Sequence, residues 1–274
     1  MKIVLFTSEK MGAINELNLN TLINIKKEHE YVFVFVKKNA KSKILNFKFE
    51  LKKLFLYPFT DWYKDQKKIS NLLKKKASEF PLKKKKIHHV TAVNSKSTEE
   101  KIKKLNPDLI IQCGAGILKE NIFSIPTKGT INVHHGIAPE LRGIASSFWG
   151  MYYGLNEYIG TTVHFIDKTL DTGAVIIQKR TEISKNSSFI ETSFQTAIQG
   201  AKLLPDAVDL ILDEYEVEKK EIDSFYFSRV HYSQYNDLKK NGFQKVKSPE
   251  ISKTKKKFKS ILVKKNTRNQ YKCD

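Results

Sequence analysis

Apolar residues occur in short consecutive runs near the start of the chain. Residues 2–7 carry Ile3-Val4-Leu5-Phe6, and residues 31–36 read Tyr-Val-Phe-Val-Phe-Val. Runs without alternation fit strands of a sheet covered on both faces. Between them, Leu17, Leu19, Leu22, Ile23 and Ile25 mark residues 14–27 as an amphipathic helix. Strand, helix and strand at this spacing predict a βαβ unit. Further strands are expected over 87–93, 108–113, 130–134, 160–166 and 175–181. A Lys-faced helix is expected over 61–80, with Ile69, Leu72 and Leu73 inward. Another begins at Ser97-Thr98-Glu99-Glu100 and stops at Asn106-Pro107, because proline cannot continue it. A long helix, capped by Asn186-Ser187 and broken or bent near Pro205, is expected to reach about Leu212.

Elsewhere the pattern weakens. Residues 47–57 alternate only faintly, 83–86 are a lysine run, and Phe225-Tyr226-Phe227-Ser228 suggests one short strand. The last 20 to 25 residues are polar and Lys-rich and read as partly disordered, with Phe258, Ile261, Leu262 and Val263 available to dock. No internal repeat is visible. The expected fold class is α/β: a Rossmann-like domain with a mostly parallel sheet over residues 1–215, with a Lys-rich insertion at 37–86. A small basic C-terminal segment, 216–274, follows.

Composition sharpens this picture in two ways. Apolar residues at 40% are adequate for a core. The two cysteines, Cys113 and Cys273, make no disulfide framework. The apolar run after Met1 is too short for a signal peptide, and no run approaches a membrane span, so a cytoplasmic protein is expected. The net charge of +20 invites a polyanion partner, but its distribution does not centre on one. Residues 37–86 carry 17 Lys+Arg against 4 Asp+Glu, and residues 216–274 carry 16 against 7. Residues 87–215 carry 12 against 14. The excess is lysine, with four arginines in the whole chain, which suits a solvated surface better than a planar-phosphate reader.

The candidate chemistry lies in the slightly acidic stretch. Asn132 and His134 are two apart, so on an extended strand they share one face. Asp171 follows His134 by 37 residues, in Leu170-Asp171-Thr172-Gly173. An amide and a protonated imidazole can receive the negative charge that develops on a carbonyl under attack. A carboxylate can orient that imidazole and move a proton. The bland alternative is a histidine and an asparagine holding a turn at a strand end. Gly114-Ala115-Gly116 ends a buried strand, the edge at which open α/β sheets bind ligands. His135 faces away from His134 and reads as structural, as does His164 on a core strand. His88-His89 lacks companion ligands, so no metal is expected. Cys113 reads as a small apolar residue, and no phosphate-loop pattern appears.

The flanking residues carry a resemblance. Ile131-Asn132-Val133-His134-His135-Gly136-Ile137-Ala138-Pro139-Glu140-Leu141-Arg142-Gly143, followed by Gly160-Thr161-Thr162-Val163-His164-Phe165-Ile166-Asp167, resembles the folate-dependent formyltransferases. That group includes glycinamide ribonucleotide, methionyl-tRNA and sugar-nucleotide N-formyltransferases. The likeness is good over residues 85–185, loose over the first strand and helix, and weak elsewhere. It implies catalytic Asn132, His134 and Asp171, and 10-formyltetrahydrofolate as formyl donor. It places the pterin against Gly116, Ile117 and Leu118 and against the loop from Asp167 to Asp171. Pro139, Arg142 and Gly143 match a loop that contacts the acceptor, although Arg142 could instead pair with Glu140. Gly136-Ile137-Ala138-Pro139 departs from the Ser-Leu-Leu-Pro of many members. The tail is too short and irregular for the C-terminal barrel of methionyl-tRNA formyltransferases. The favoured acceptor is therefore the primary amine of a nucleotide-linked amino sugar, in a protein that the resemblance makes a homodimer. Two alternatives stand: a methionyl-tRNA formyltransferase-like enzyme, or a basic RNA-binding protein on an inactive formyltransferase scaffold.

Overall fold

A computed structural model describes residues 1–37, 61–80, 86–184, 186–214, 216, 217, 219, 222–228, 230, 232–241 and 255–257. The expectations for residues 47–57, 83–85 and the apolar set Phe258, Ile261, Leu262 and Val263 lie outside these. The chain divides into two units, Met1–Ile131 and Asn132–Asp274.

In the first unit, β1 (Lys2–Ser8), α1 (Ala13–Ile25) and β2 (Glu30–Val36) form the expected strand–helix–strand unit. They are followed by α2 (Asp61–Ala77), β3 (Ile87–Val90), α3 (Lys96–Leu105), β4 (Leu109–Cys113) and the short α4 (Glu120–Phe123). The strand order is β3-β2-β1-β4, all parallel; Ile3 pairs with Tyr31 on one side and Leu109 on the other. Ile3, Val4, Leu5 and Phe6 are fully buried, as consecutive apolar residues in a doubly covered strand should be. The sequence reading of α2 needs one correction. Ile69 and Leu73 point inward, but Leu72 is 39% exposed among Lys64, Lys67, Lys68, Asn71 and Lys75. At 100° per residue Leu72 falls outside the arc set by Ile69, Leu73 and Ala77. The cap of α3 is Ser95, whose Oγ accepts from the Thr98 amide, and Asn106 ends that helix in a left-handed conformation.

The second unit holds most of β5 (Thr130–His134), then β6 (Leu141–Gly143), α5 (Ser146–Tyr153), β7 (Gly160–Phe165), β8 (Val175–Arg180), α6 (Phe189–Leu212), β9 (Asp223–Phe227), α7 (Tyr232–Asn241) and β10 (Lys255–Lys257). β5, β7 and β8 follow in that order, with β7 and β8 antiparallel. A separate small sheet has the order β10-β9-β6, in which Arg142 pairs in parallel with Tyr226. The α/β class and the mostly parallel sheet match the expectation. α6 is capped by Ser188 rather than Asn186-Ser187, and it runs unbroken through Pro205. β9 is held by stacking of Phe227 on Trp149, ring centroids 4.9 Å apart, and by a bond from Trp149 Nε1 to the Ser228 carbonyl.

Candidate active site

β5 delivers Asn132 and His134, and the loop between β7 and β8 delivers Asp171. The structure brings all three together, with His164 of β7 added. The Asp171 carboxylate sits between two imidazoles: Oδ2 is 3.6 Å from His134 Nδ1, and Oδ1 is 3.8 Å from His164 Nε2. Both histidines and the aspartate are buried. The Gly143 amide donates to Asp171 Oδ2 at 2.9 Å, fixing the carboxylate. His134 Nε2 lies 2.8 Å from the Leu141 carbonyl, which can only accept, so this nitrogen carries a hydrogen. Each ring nitrogen of His134 thus faces an oxygen: Nε2 the Leu141 carbonyl and Nδ1 the Asp171 carboxylate.

His164 behaves differently. Its Nδ1 donates to its neighbour's carbonyl, Phe165, at 2.8 Å, leaving Nε2 as the acceptor in the neutral ring. Asn132 Nδ2 is 3.4 Å from that nitrogen, so the neutral ring draws the amide group of Asn132 toward it. One amide hydrogen then points at His164, and the second remains to meet an oxyanion. Burial pushes the His164 pKa below the usual imidazole value; Asp171 opposes this and His134 reinforces it. The placement of His164 comes from an irregularity in the β7/β8 ladder. Val163 pairs with Ile177 but His164 pairs with Val175, so Ile176 is the extra residue. Such a bulge bends the ladder and re-aims the adjacent side chain.

The Asp171 backbone has φ 54, a left-handed conformation that aspartate tolerates better than most residues. Beside it, Gly143 has φ 97, and a Cβ there would fall 2.0 Å from the Phe227 carbonyl oxygen. Only glycine meets both conditions. At Gly136 a Cβ would come within 2.7 Å of both His134 Nε2 and Ser146 Cβ, so only glycine leaves room for the ring to reach the Leu141 carbonyl.

The other expected site residues are placed as follows. Arg142 is buried; its Nε donates to Ser224 Oγ at 3.1 Å and its Nη1 to the Leu170 carbonyl at 2.9 Å. Burial depresses its pKa, countered by Asp171, Tyr226 and Asp167. Asp167 Oδ1 accepts from the Thr169 amide and the Thr172 hydroxyl, and Oδ2 pairs with Lys219. Pro139 follows a cis peptide bond, in a loop where Ala138 is bonded to Thr162 and Gln178. Gly116, Ile117 and Leu118 lie in the first unit, beyond the end of β4. Their loop is held by Gln112 Nε2 on the Gly116 carbonyl and Asn94 Nδ2 on the Ile117 carbonyl, both 2.9 Å. Leu118 is buried, whereas Ile117 is 72% exposed.

His135 lies against α6, as the strand alternation implied, and burial pushes its pKa down to about 4. Burial likewise raises the pKa of the Cys113 thiol, which behaves as an inert core residue. Among the described residues no cluster of His, Cys, Asp or Glu is arranged to hold a metal, and no helix is long and apolar enough to cross a membrane. Sequence reasoning gave His164 a structural role and did not single out Ser224 or Lys219. The signal that could have found His164 is its place in the Gly160–Asp167 run that carries the family resemblance. No local signal marks the other two.

Comparison with known proteins bears on this arrangement. The formyl transferase family model matches residues 60–208, just over half of the chain. A methionyl-tRNA formyltransferase from Caldicellulosiruptor saccharolyticus is 36% identical over 128 residues, covering 46% of this chain and 41% of that protein. The match therefore spans about two fifths of that relative. Among solved structures, a sugar N-formyltransferase from a Shewanella species is similar with TM-score 0.54 at 16% identity, over 87% of this chain and 80% of that one. The formyltransferase PseJ from Anoxybacillus kamchatkensis was solved in complex with UDP-4,6-dideoxy-4-formamido-L-AltNAc and tetrahydrofolate. It is similar with TM-score 0.52 at 20% identity, over 89% of this chain and 94% of that one. At these identities the structures establish a shared fold, while the sequence match establishes kinship. The chain belongs to the formyl transferase family.

Proposed function

We propose that this protein is an N-formyltransferase that moves the formyl group of 10-formyltetrahydrofolate onto the primary amine of a nucleotide-linked amino sugar. The observation that carries the reading is the Asp171 carboxylate seated between His134 and His164, with Asn132 held by its amide on the same face. Membership of the family supports the donor. The loop at Gly116–Leu118 fits a flat ring: Ile117 is exposed, and no atom lies within 4 Å of a Cβ position at Gly116. When bound, 10-formyltetrahydrofolate supplies an activated formyl carbon and a nitrogen leaving group.

The residues divide the work. Asn132 Nδ2 meets the charge that develops on the formyl oxygen as the amine adds, and His134 joins it by turning its Nε2 hydrogen from the Leu141 carbonyl toward that oxygen. Asp171 keeps the His134 ring in place and takes up the proton that the attacking amine must lose. A carbon–nitrogen bond forms to the acceptor, one breaks at the donor, and one proton passes from the first nitrogen to the second. A sugar acceptor is supported by two of the structures that share this fold, one named a sugar N-formyltransferase and one solved with a UDP-linked formamido sugar.

Methionyl-tRNA is the second reading, favoured by the name of the sequence relatives and by the lysine-rich stretches at 37–86 and 216–274. The test is incubation with 10-formyltetrahydrofolate and a panel of dTDP-, UDP- and GDP-linked 3- and 4-amino sugars, with Met-tRNA alongside. A formyl mass gain of about 28 Da on one amino sugar, lost in His134→Ala, is the expected result. Transfer to Met-tRNA alone, with a rate falling steeply in salt as phosphate contacts release counterions, would replace it.

A further inference from the structure

Asp171 must keep a left-handed backbone and a buried carboxylate at once, and such a conformation persists only where the surroundings hold it. Part of that hold is local. Asp167 Oδ1 accepts from the Thr169 amide at 3.0 Å and the Thr172 hydroxyl at 2.9 Å, and the Thr172 hydroxyl also approaches the Thr169 carbonyl at 3.1 Å. These bonds shape the turn but do not anchor it. Its anchors come from two other places. Gly143 donates to Asp171 itself, and Arg142 Nη1 holds the Leu170 carbonyl. Arg142 is in turn oriented by Ser224, fully buried on β9, through Nε at 3.1 Å. The second oxygen of Asp167 pairs with Lys219, whose side chain is only 18% exposed. Lys219 and Ser224 both lie beyond residue 208, where the family match ends.

We propose that Lys219 and Ser224 are positioning residues that latch the loop of residues 167–172, so that Asp171 stays seated against Gly143, His134 and His164. Lys219 holds the loop's entry through Asp167, and Ser224 holds its centre through Arg142 and the Leu170 carbonyl. Asp167 is then spent on shaping and anchoring the loop rather than on touching the pterin. An ion pair shielded from water in this way is screened less than a surface pair, so it can restrain a short loop. The C-terminal segment thereby becomes part of the catalytic apparatus, through bonds from Lys219 and Ser224 to Asp167 and Arg142.

The test uses the full chain and three variants: Lys219→Met, Lys219→Arg and Ser224→Ala. Amide hydrogen exchange at Gly143 and Thr169 reports the seat of Asp171 and the turn, with amides inside α6 as the control. Lys219→Met is expected to speed exchange at both sites by about tenfold, with Lys219→Arg close to wild type and α6 unchanged. Ser224→Ala should speed Gly143 most. On the formyl-transfer reading of the previous section, kcat should fall about tenfold in Lys219→Met with the donor KM within about twofold. Unchanged exchange at Gly143 and Thr169 would overturn the latch, as would equal acceleration throughout α6, which signals general loosening. Accelerated exchange at the two amides in a protein that transfers no formyl group would leave the latch standing and remove the functional reading instead.

Discussion

β1 of the first unit and β7 of the second are both buried strands, yet they bury opposite kinds of atom. β1 encloses Ile3, Val4, Leu5 and Phe6, none with any exposure. β7 encloses Thr161, Thr162 and His164, and its unit also buries His134, Asp171, Arg142, Thr172 and Ser224. Apolar burial is non-directional and scales with area. Buried polar groups stabilise only when each finds its partner. The second unit meets that demand almost bond by bond: Thr161 to the Thr196 carbonyl, Thr162 to the Gly136 carbonyl, Arg142 to Ser224. The contrast teaches that the first unit's strand can absorb many apolar sequences, whereas the second unit's pattern is set by chemistry.

Four experiments would break or sharpen that contrast. The largest effect is expected from His134→Ala, with kcat for formyl transfer lowered about 1000-fold and the urea midpoint of unfolding hardly moved. A comparable loss of folding stability would mean that His134 is a structural residue after all. Leu5→Ala should do the reverse. Deleting a fully buried side chain costs about 3 kcal/mol in denaturant unfolding, with turnover per folded molecule unchanged. Third comes pH. Above the usual imidazole value of 6.5, His135 is neutral in both folded and unfolded chains. As pH falls from 6.5 toward its folded value of about 4, the unfolded chain binds a proton that the folded chain refuses. Stability should therefore drop across that window by about 3 kcal/mol at most, with His164 acting in the same direction. Urea unfolding of wild type and His135→Gln at pH 7, 6, 5 and 4 would show it; equal slopes in the two proteins would clear His135 of the effect. The smallest change is expected from Thr7→Val. Thr7 Oγ1 is buried in β1 with no hydrogen-bond partner, so replacing it with a methyl group should stabilise by up to about 1 kcal/mol. A clear loss instead would reveal a bond to that hydroxyl and weaken the contrast.

These differences also explain what could be read from sequence alone. Consecutive apolar runs located β1, β2 and β4, and β5 falls at residues 130–134, because burial on both faces leaves a local trace. Asn132 and His134 were legible as a pair because strand alternation puts them on one face. Asp171 became legible only through the resemblance of its surroundings, since no local rule links it to a residue 37 positions away. Leu72 was misplaced because its i, i+3, i+4 spacing with Ile69 and Leu73 allows one apolar stripe, whereas the buried arc runs from Ile69 through Leu73 to Ala77 and leaves Leu72 outside. His164 looked like an ordinary core histidine, since a bulge is a property of paired strands and not of either sequence. Ser224 and Lys219 sit in a polar tail with no periodic signal, and they acquire meaning only through bonds to Arg142 and Asp167.

That bulge carries a consequence for how the protein tolerates genetic change. The aim of His164 is set by a count, since two residues of β8 oppose the step that β7 makes in one between Val163 and His164. Replacing Ile176 by another branched residue keeps the count. Losing its codon does not: the ladder would close into regular pairing and swing His164 away from Asp171. The site is therefore guarded against misspelling at this position but not against omission, and a single in-frame deletion there should act as a null allele although it removes no residue of the catalytic group.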